Sequence, residues 1–124
     1  MLTTKVRERE NNMEIIKIET KSKNFDWKDE INIKNGDSLK NLSNGTKIEL
    51  AKAAVFESVN ADGEEVDTAA YIAVDGRTFT TISTDAVLFA PTIIKALDNG
   101  EKIILEVIVG ETKSGNSYVG IRVH

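Results

Sequence analysis

The chain has no cysteine, which excludes disulfides and thiolate metal sites. It has a single histidine, His124, which excludes a multi-imidazole metal centre or relay. Its single proline, Pro91, leaves no room for a proline-rich linker or recognition segment. No apolar run reaches the roughly 18 residues that a membrane helix needs, and the polar, charged start is unlike a signal peptide. A soluble, cytoplasmic protein is expected. Aromatics are scarce: one tryptophan, two tyrosines and four phenylalanines, so each can be followed individually.

The net charge of −4 lacks the basic excess that marks many nucleic-acid binders. Residues 1–30 carry seven basic and seven acidic groups, so residues 31–124 hold the remaining nine basic and thirteen acidic ones. Much of that acid falls at one place, Glu57, Asp62, Glu64, Glu65 and Asp67. A solvated hairpin tip is the simplest reading of it.

Enzyme signatures are missing. No phosphate-cradling glycine loop, H-E-x-x-H or G-x-S-x-G occurs. Glu49 and Glu106 fall in expected strands, where carboxylates facing solvent are the norm. The expectation is a binding protein, not an enzyme, that requires no cofactor, metal or small-molecule substrate and no membrane.

What the chain does have is clear punctuation. From about Thr46 to His124 it reads strand, strand, strand, helix, strand, strand. Val55–Val59 runs into Asn60-Ala61-Asp62-Gly63, and Tyr71–Val74 meets Arg77–Thr80 across Asp75-Gly76, a strong hairpin signal. Ile103–Val109 and Ser117–Val123 flank a loop holding Lys113 and Gly115. Ser83, Thr84 and Asp85 can each cap a helix, and Pro91 suits a first turn. A kinked helix from Asp85 or, better, a main helix from Pro91 to about Leu97 is expected, with Ile93, Ile94 and Leu97 inward and Asn99-Gly100 closing it. The fold expected is mainly β: a five-stranded OB-fold Greek-key barrel with one short helix between strands 3 and 4, plus an N-terminal extension. Small barrels of this type bind oligonucleotides or oligosaccharides. Residues 1–12 read as a disordered extension, with Met13 a candidate natural start. Residues 13–45 read as N-terminal strands or a flap, with strands at Met13–Glu19 and Ile31–Lys34, and 46–124 as the barrel. The segment 13–34 can supply an edge for pairing with a second copy of the chain.

Strand parity then places side chains. If Asp75-Gly76 is a two-residue turn, Ile72 pairs with Phe79, and Ile72, Val74, Arg77 and Phe79 share a core-like face. Tyr71 then lies on the open face with Ala69, Ala73, Thr78, Thr80 and Ile82. In the last strand Val119, Ile121 and Val123 face the core, and Tyr118, Gly120, Arg122 and His124 face away. A tyrosine beside an arginine, with a glycine between, suits stacking of a base and contact with a phosphate.

Three stretches carry a resemblance: Ser38–Glu49, Ala73-Val74-Asp75-Gly76-Arg77-Thr78-Phe79-Thr80-Thr81-Ile82-Ser83, and Val109–Tyr118. In order and spacing they resemble the single-stranded-DNA-binding proteins of small protein-primed Bacillus phages, over roughly residues 36–124. The resemblance implies an OB-fold protein that coats single-stranded DNA without reading sequence, in replication of a phage or mobile element, within the host cytoplasm. It places the family's strand aromatics on Phe56, Phe79 and Tyr118. With parity added, the expected nucleic-acid-binding set is Lys52, Phe56, Tyr71, Arg77, Phe79, Lys113, Tyr118 and Arg122. Parity and resemblance disagree over Phe79, and the expectation follows resemblance: Phe79 at least partly exposed. Phe25 and Trp27 are expected in or capping the core rather than stacking. The alternative is a barrel that binds protein or oligosaccharide, such as a phage inhibitor of a host enzyme acting through the acidic tip.

Overall fold

The computed structural model describes residues 14–60 and 62–124. The expected disordered extension, 1–12, and Met13 lie outside the described residues. The elements are β1 (Glu14–Lys21), α1 (Trp27–Lys34), β2 (Asp37–Ser38), a 3₁₀ turn (Leu39–Asn41), β3 (Lys47–Val59), β4 (Glu65–Ala73), β5 (Thr78–Thr81), α2 (Thr84–Asp98), β6 (Ile104–Glu111) and β7 (Ser117–Val123). The strand order is β2-β5-β4-β3-β6-β7, with β1 also paired to β3. Among the described residues only the short β2–β5 ladder is parallel.

β3 is the hinge of the sheet. One edge pairs with β4 from Leu50 to Val59. The other is divided: Lys47–Glu49 pairs with β6, and Ala54–Val59 pairs with β1. A register irregularity between Leu50 and Lys52 marks the changeover, and such bulges bend a strand and increase its twist. The sheet therefore curls into a half-barrel. Among the described residues no ladder joins β5 to β7. That seam is filled by the 3₁₀ turn, whose Leu39 is wholly buried in the barrel core. It is also bridged by Ser83, whose hydroxyl donates to the Val119 carbonyl at 2.6 Å.

Alternation along the strands supplies two apolar layers. Inside the curl lie Ile48, Leu50, Val55, Tyr71, Phe79, Leu105 and Val107, closed by Ala86, Ala90, Ile93 and Ile94 of α2. Outside it Ala54, Phe56, Ala70 and Ile72 are covered by Phe25 and Ile33, with Ile15 and Ile18 at the margin. The N-terminal segment is thus a lid on the outer face of β3 and β4.

Four local expectations are corrected. Ile31–Lys34, expected as a strand, is the second half of α1. The Asp26 carboxylate accepts from the Lys28 and Asp29 amides at 3.0 and 3.2 Å, and Asp29 accepts from the Asp26 amide at 2.8 Å. This capping box starts a helix whose β-branched isoleucines look strand-like. α2 is one continuous helix from Thr84, with Pro91 in its interior. An interior proline costs about 3 kcal/mol through the lost hydrogen bond and the clash of its ring with the preceding turn, but burying Ile93 and Ile94 recovers roughly 1.5–3 kcal/mol each. The β4–β5 loop is Val74-Asp75-Gly76: the Ala73 amide donates to the Arg77 carbonyl at 2.8 Å, and Gly76 takes φ +95. The glycine provides the left-handed residue of a three-residue hairpin, so the register slips by one and Tyr71, not Ile72, faces Phe79. Val123, expected inward, is exposed at the end of β7.

Candidate nucleic-acid interface

The slipped register decides most of the expected site. Tyr71 and Phe79 are register partners inside the barrel, 0% and 2% exposed. The Tyr71 hydroxyl donates to the Ala86 carbonyl, and burial holds its pKa well above the ordinary tyrosine value. Phe56 is also 0% exposed, but on the outer face, beneath Phe25 and Ile33. None of these rings reaches a ligand in this conformation, so they are core side chains and not stacking platforms. Lys52 is spent as well: its ammonium lies 2.8 Å from Asp29, at the base of α1.

Arg77 is exposed and paired with Asp75, Nε to Oδ2, at 2.9 Å. Its guanidinium lies 5.5 Å from the Phe79 ring centroid and covers that ring's outer side. The Asp75 carboxyl is held below its ordinary pKa, chiefly by the Arg77 amide and then by the guanidinium. This is a local brace of the hairpin loop.

The remaining three expected residues come from the β6–β7 hairpin. Lys113 is exposed in the connecting loop. Tyr118 and Arg122 point outward, as parity required, and are register partners of Gly110 and Glu106. Tyr118 lies across Gly110 so closely that a Cβ there would be 2.6 Å from the tyrosine hydroxyl oxygen. The glycine is what lets the ring lie on β6. Glu106 gathers the nearby cations: His124 Nε2 at 2.7 Å and Arg122 at 3.7 Å. Its carboxyl is held below its ordinary pKa by His124 first, then by Arg122 and Lys47. Glu49 faces Ile104 and Glu106 faces Lys47, so the two glutamates are not register partners.

Tyr118 opens onto a groove of about 530 Å³ along the seam between β5 and β7. It is lined by Tyr118 and Ile82, 49% and 62% exposed, with Lys40, Asp85 and the hydroxyls of Thr81, Ser83 and Thr84. The first α2 hydrogen bond runs from the Val87 amide to the Ser83 carbonyl. The amides of Thr84, Asp85 and Ala86 therefore precede the intrahelical ladder, and Ser83 supplies no side-chain cap. Amides at a helix start favour an anion, although Asp85 in the same turn opposes one. Lys40 and Ile82 stand outside the expected binding set, although parity put Ile82 on the open face. Each looks ordinary in its own segment, and only the seam brings them to Tyr118. Trp27, expected in or capping the core, is instead exposed on α1.

No family model, curated protein or solved structure matches the chain.

Proposed function

We propose that the chain is an OB-type barrel that binds single-stranded DNA, without reading sequence, along the seam groove, in replication of a phage or mobile element. The observation that carries this reading is the groove itself: a half-exposed tyrosine and an exposed isoleucine line it together with a lysine and several hydroxyls. The ring offers stacking, which tolerates any base, and Lys40, with Lys113 and Arg122 farther along the hairpin, offers charge to phosphates. Tyr118→Ala is expected to weaken binding of oligo-dT by about 1–3 kcal/mol and to leave the melting temperature within a few degrees. Fluorescence anisotropy of labelled oligo-dT is the measurement. Wild-type protein that leaves the oligonucleotide free at moderate salt would sink the reading.

A second reading, an acidic surface that docks a basic protein, draws on one observation. Glu19 comes close to Asp67 and Glu57, and its pKa is raised, first by the Asp67 carboxyl beside it. Neutralising Glu57 and Asp67 should abolish such docking and leave oligo-dT binding unchanged.

A further inference from the structure

We infer that the cleft between β1 and α1 is a second stacking site for single-stranded DNA, with Trp27 as the platform and Lys17 and Lys34 as phosphate contacts. The inference rests on the single-strand reading of the seam groove.

α1 has two unlike sides. Asp29 and Ile33, four residues apart, face the sheet and are buried. Trp27 and Ile31, also four apart, face away and are 65% and 54% exposed. With β1 they enclose a cleft of about 400 Å³. Its floor is Ile15 and Ile18, which pack on the Phe25 and Phe56 layer and give it firm support. Lys17 and Lys34 line the cleft, with Glu30 as the opposing carboxylate. The Lys28 ammonium stands 5.7 Å from the Trp27 ring centroid, so one face of the ring already holds a cation and the other is left for a base. Among the described residues Lys17, Lys28 and Lys34 enter no salt bridge. A flat apolar ring beside Lys17, Lys28 and Lys34, with Glu57 the register partner of Lys17, fits a ligand with flat rings and negative charge, which describes a base and its phosphates.

The lid explains why the ring is here. An OB barrel offers nucleic acid the outer face of its central strands. In this chain Phe25 and Ile33 cover that face, and the covering helix carries the exposed aromatic on its outer side. α1 is about 12 Å long at 1.5 Å per residue. Its end leads within a few residues to Ser38 and Lys40, which line the seam groove. A strand held at Tyr118 can therefore follow α1 to Trp27, past Lys40, Lys34 and Lys28, with Asp37 and Glu30 the carboxylates on the way.

Trp27 is the sole tryptophan, so its emission reports on this cleft alone. The test is a titration of the full chain with an oligo-dT of about 12 nucleotides, within the span of a single OB-type site. Saturable quenching of Trp27 is expected, and Trp27→Ala should weaken binding about 5- to 100-fold by anisotropy with an unchanged circular dichroism melt. Replacing Lys17 and Lys34 together by Gln should lower the salt slope of binding by about 1.4. If Tyr118→Ala weakens binding while Trp27 emission and the affinity of Trp27→Ala stay unchanged, the cleft proposal is overturned and the seam reading stands. If the wild type binds no oligo-dT, both fall. Trp27 emission that shifts with protein concentration alone would seat a second copy in the cleft and overturn the proposal.

Discussion

Tyr71 and Tyr118 carry the same side chain into opposite settings, and the consequences separate cleanly. Tyr71 fills the barrel and bonds the Ala86 carbonyl. Tyr71→Phe keeps the ring and loses one buried hydrogen bond, so a loss of about 1 kcal/mol is expected in chemical denaturation, with oligo-dT binding unchanged. Phe79→Ala removes a buried ring and should cost about 3–5 kcal/mol, again without a direct effect on binding of the folded protein. Tyr118 reverses the pattern, and Gly110 sharpens the test. An added Cβ at Gly110 meets only the far end of the Tyr118 side chain, which can swing aside. Gly110→Ala should therefore cost little stability yet weaken oligo-dT binding, because the platform leaves its seat.

α1 is attached to the sheet by few but specific contacts. Ser22 exchanges hydrogen bonds with Ala53, its hydroxyl accepting from the Ala53 amide at 2.8 Å, and Lys52 pairs with Asp29. Asp26 caps the helix, so Asp26→Ala should cost about 1 kcal/mol, with hydrogen exchange rising in α1 before the barrel strands. Acid should loosen several such elements together. The carboxyls of Asp26 at the α1 cap, Asp75 in the hairpin loop and Glu106 on β6 all have folded pKa values below their ordinary ones, 3.8, 3.8 and 4.5. A lowered folded pKa contributes stability that is full above the unfolded value and is lost as pH falls through the folded one. Glu19 acts the other way: its raised pKa favours the folded state below 4.5 and loses that contribution as pH rises through the folded value. Three groups against one predict a denaturant midpoint at about pH 3 that is lower than at neutral pH. Glu19, Asp26 and Asp75 are exposed and Glu106 is only partly buried, so the drop should be shallow and weaken with added salt.

Across the whole molecule, excess acid and a binding surface coexist because the charges are segregated. Glu57, Asp62, Glu64, Glu65 and Asp67 occupy the β3–β4 hairpin, away from the seam. The salt dependence of oligo-dT binding measures how much of the surface is used. Single strands give a slope of about −0.7 per phosphate neutralised. Lys40, Lys113 and Arg122 alone predict about −2, and a path that also takes in Lys17, Lys28 and Lys34 predicts about −4. A slope near zero would mean that neither surface meets a phosphate.

Elements announced by short-range chemistry are legible in the amino-acid sequence alone: the strand order from Lys47 to Val123, the helix before Asn99-Gly100, and the outward face of Tyr118 and Arg122. Turn glycines, caps and alternation act over a few residues, and a reader of the chain meets them together. Asp75-Gly76 shows the limit of that reading. The same dipeptide serves a two-residue or a three-residue loop, and the choice moves Tyr71 and Phe79 from one face to the other. The choice is made by burial, since only the slipped register puts both rings inside the curl. Phe56 has an outward parity and is nonetheless buried, because Phe25 and Ile33 return from far upstream to cover it. Lys40, Ile82 and Tyr118 form a groove only because the sheet bends at β3 and stops short of closing. Local bonding set the elements and their alternation; the competition among distant apolar faces for burial decided which rings are core, which are covered, and which remain at the surface.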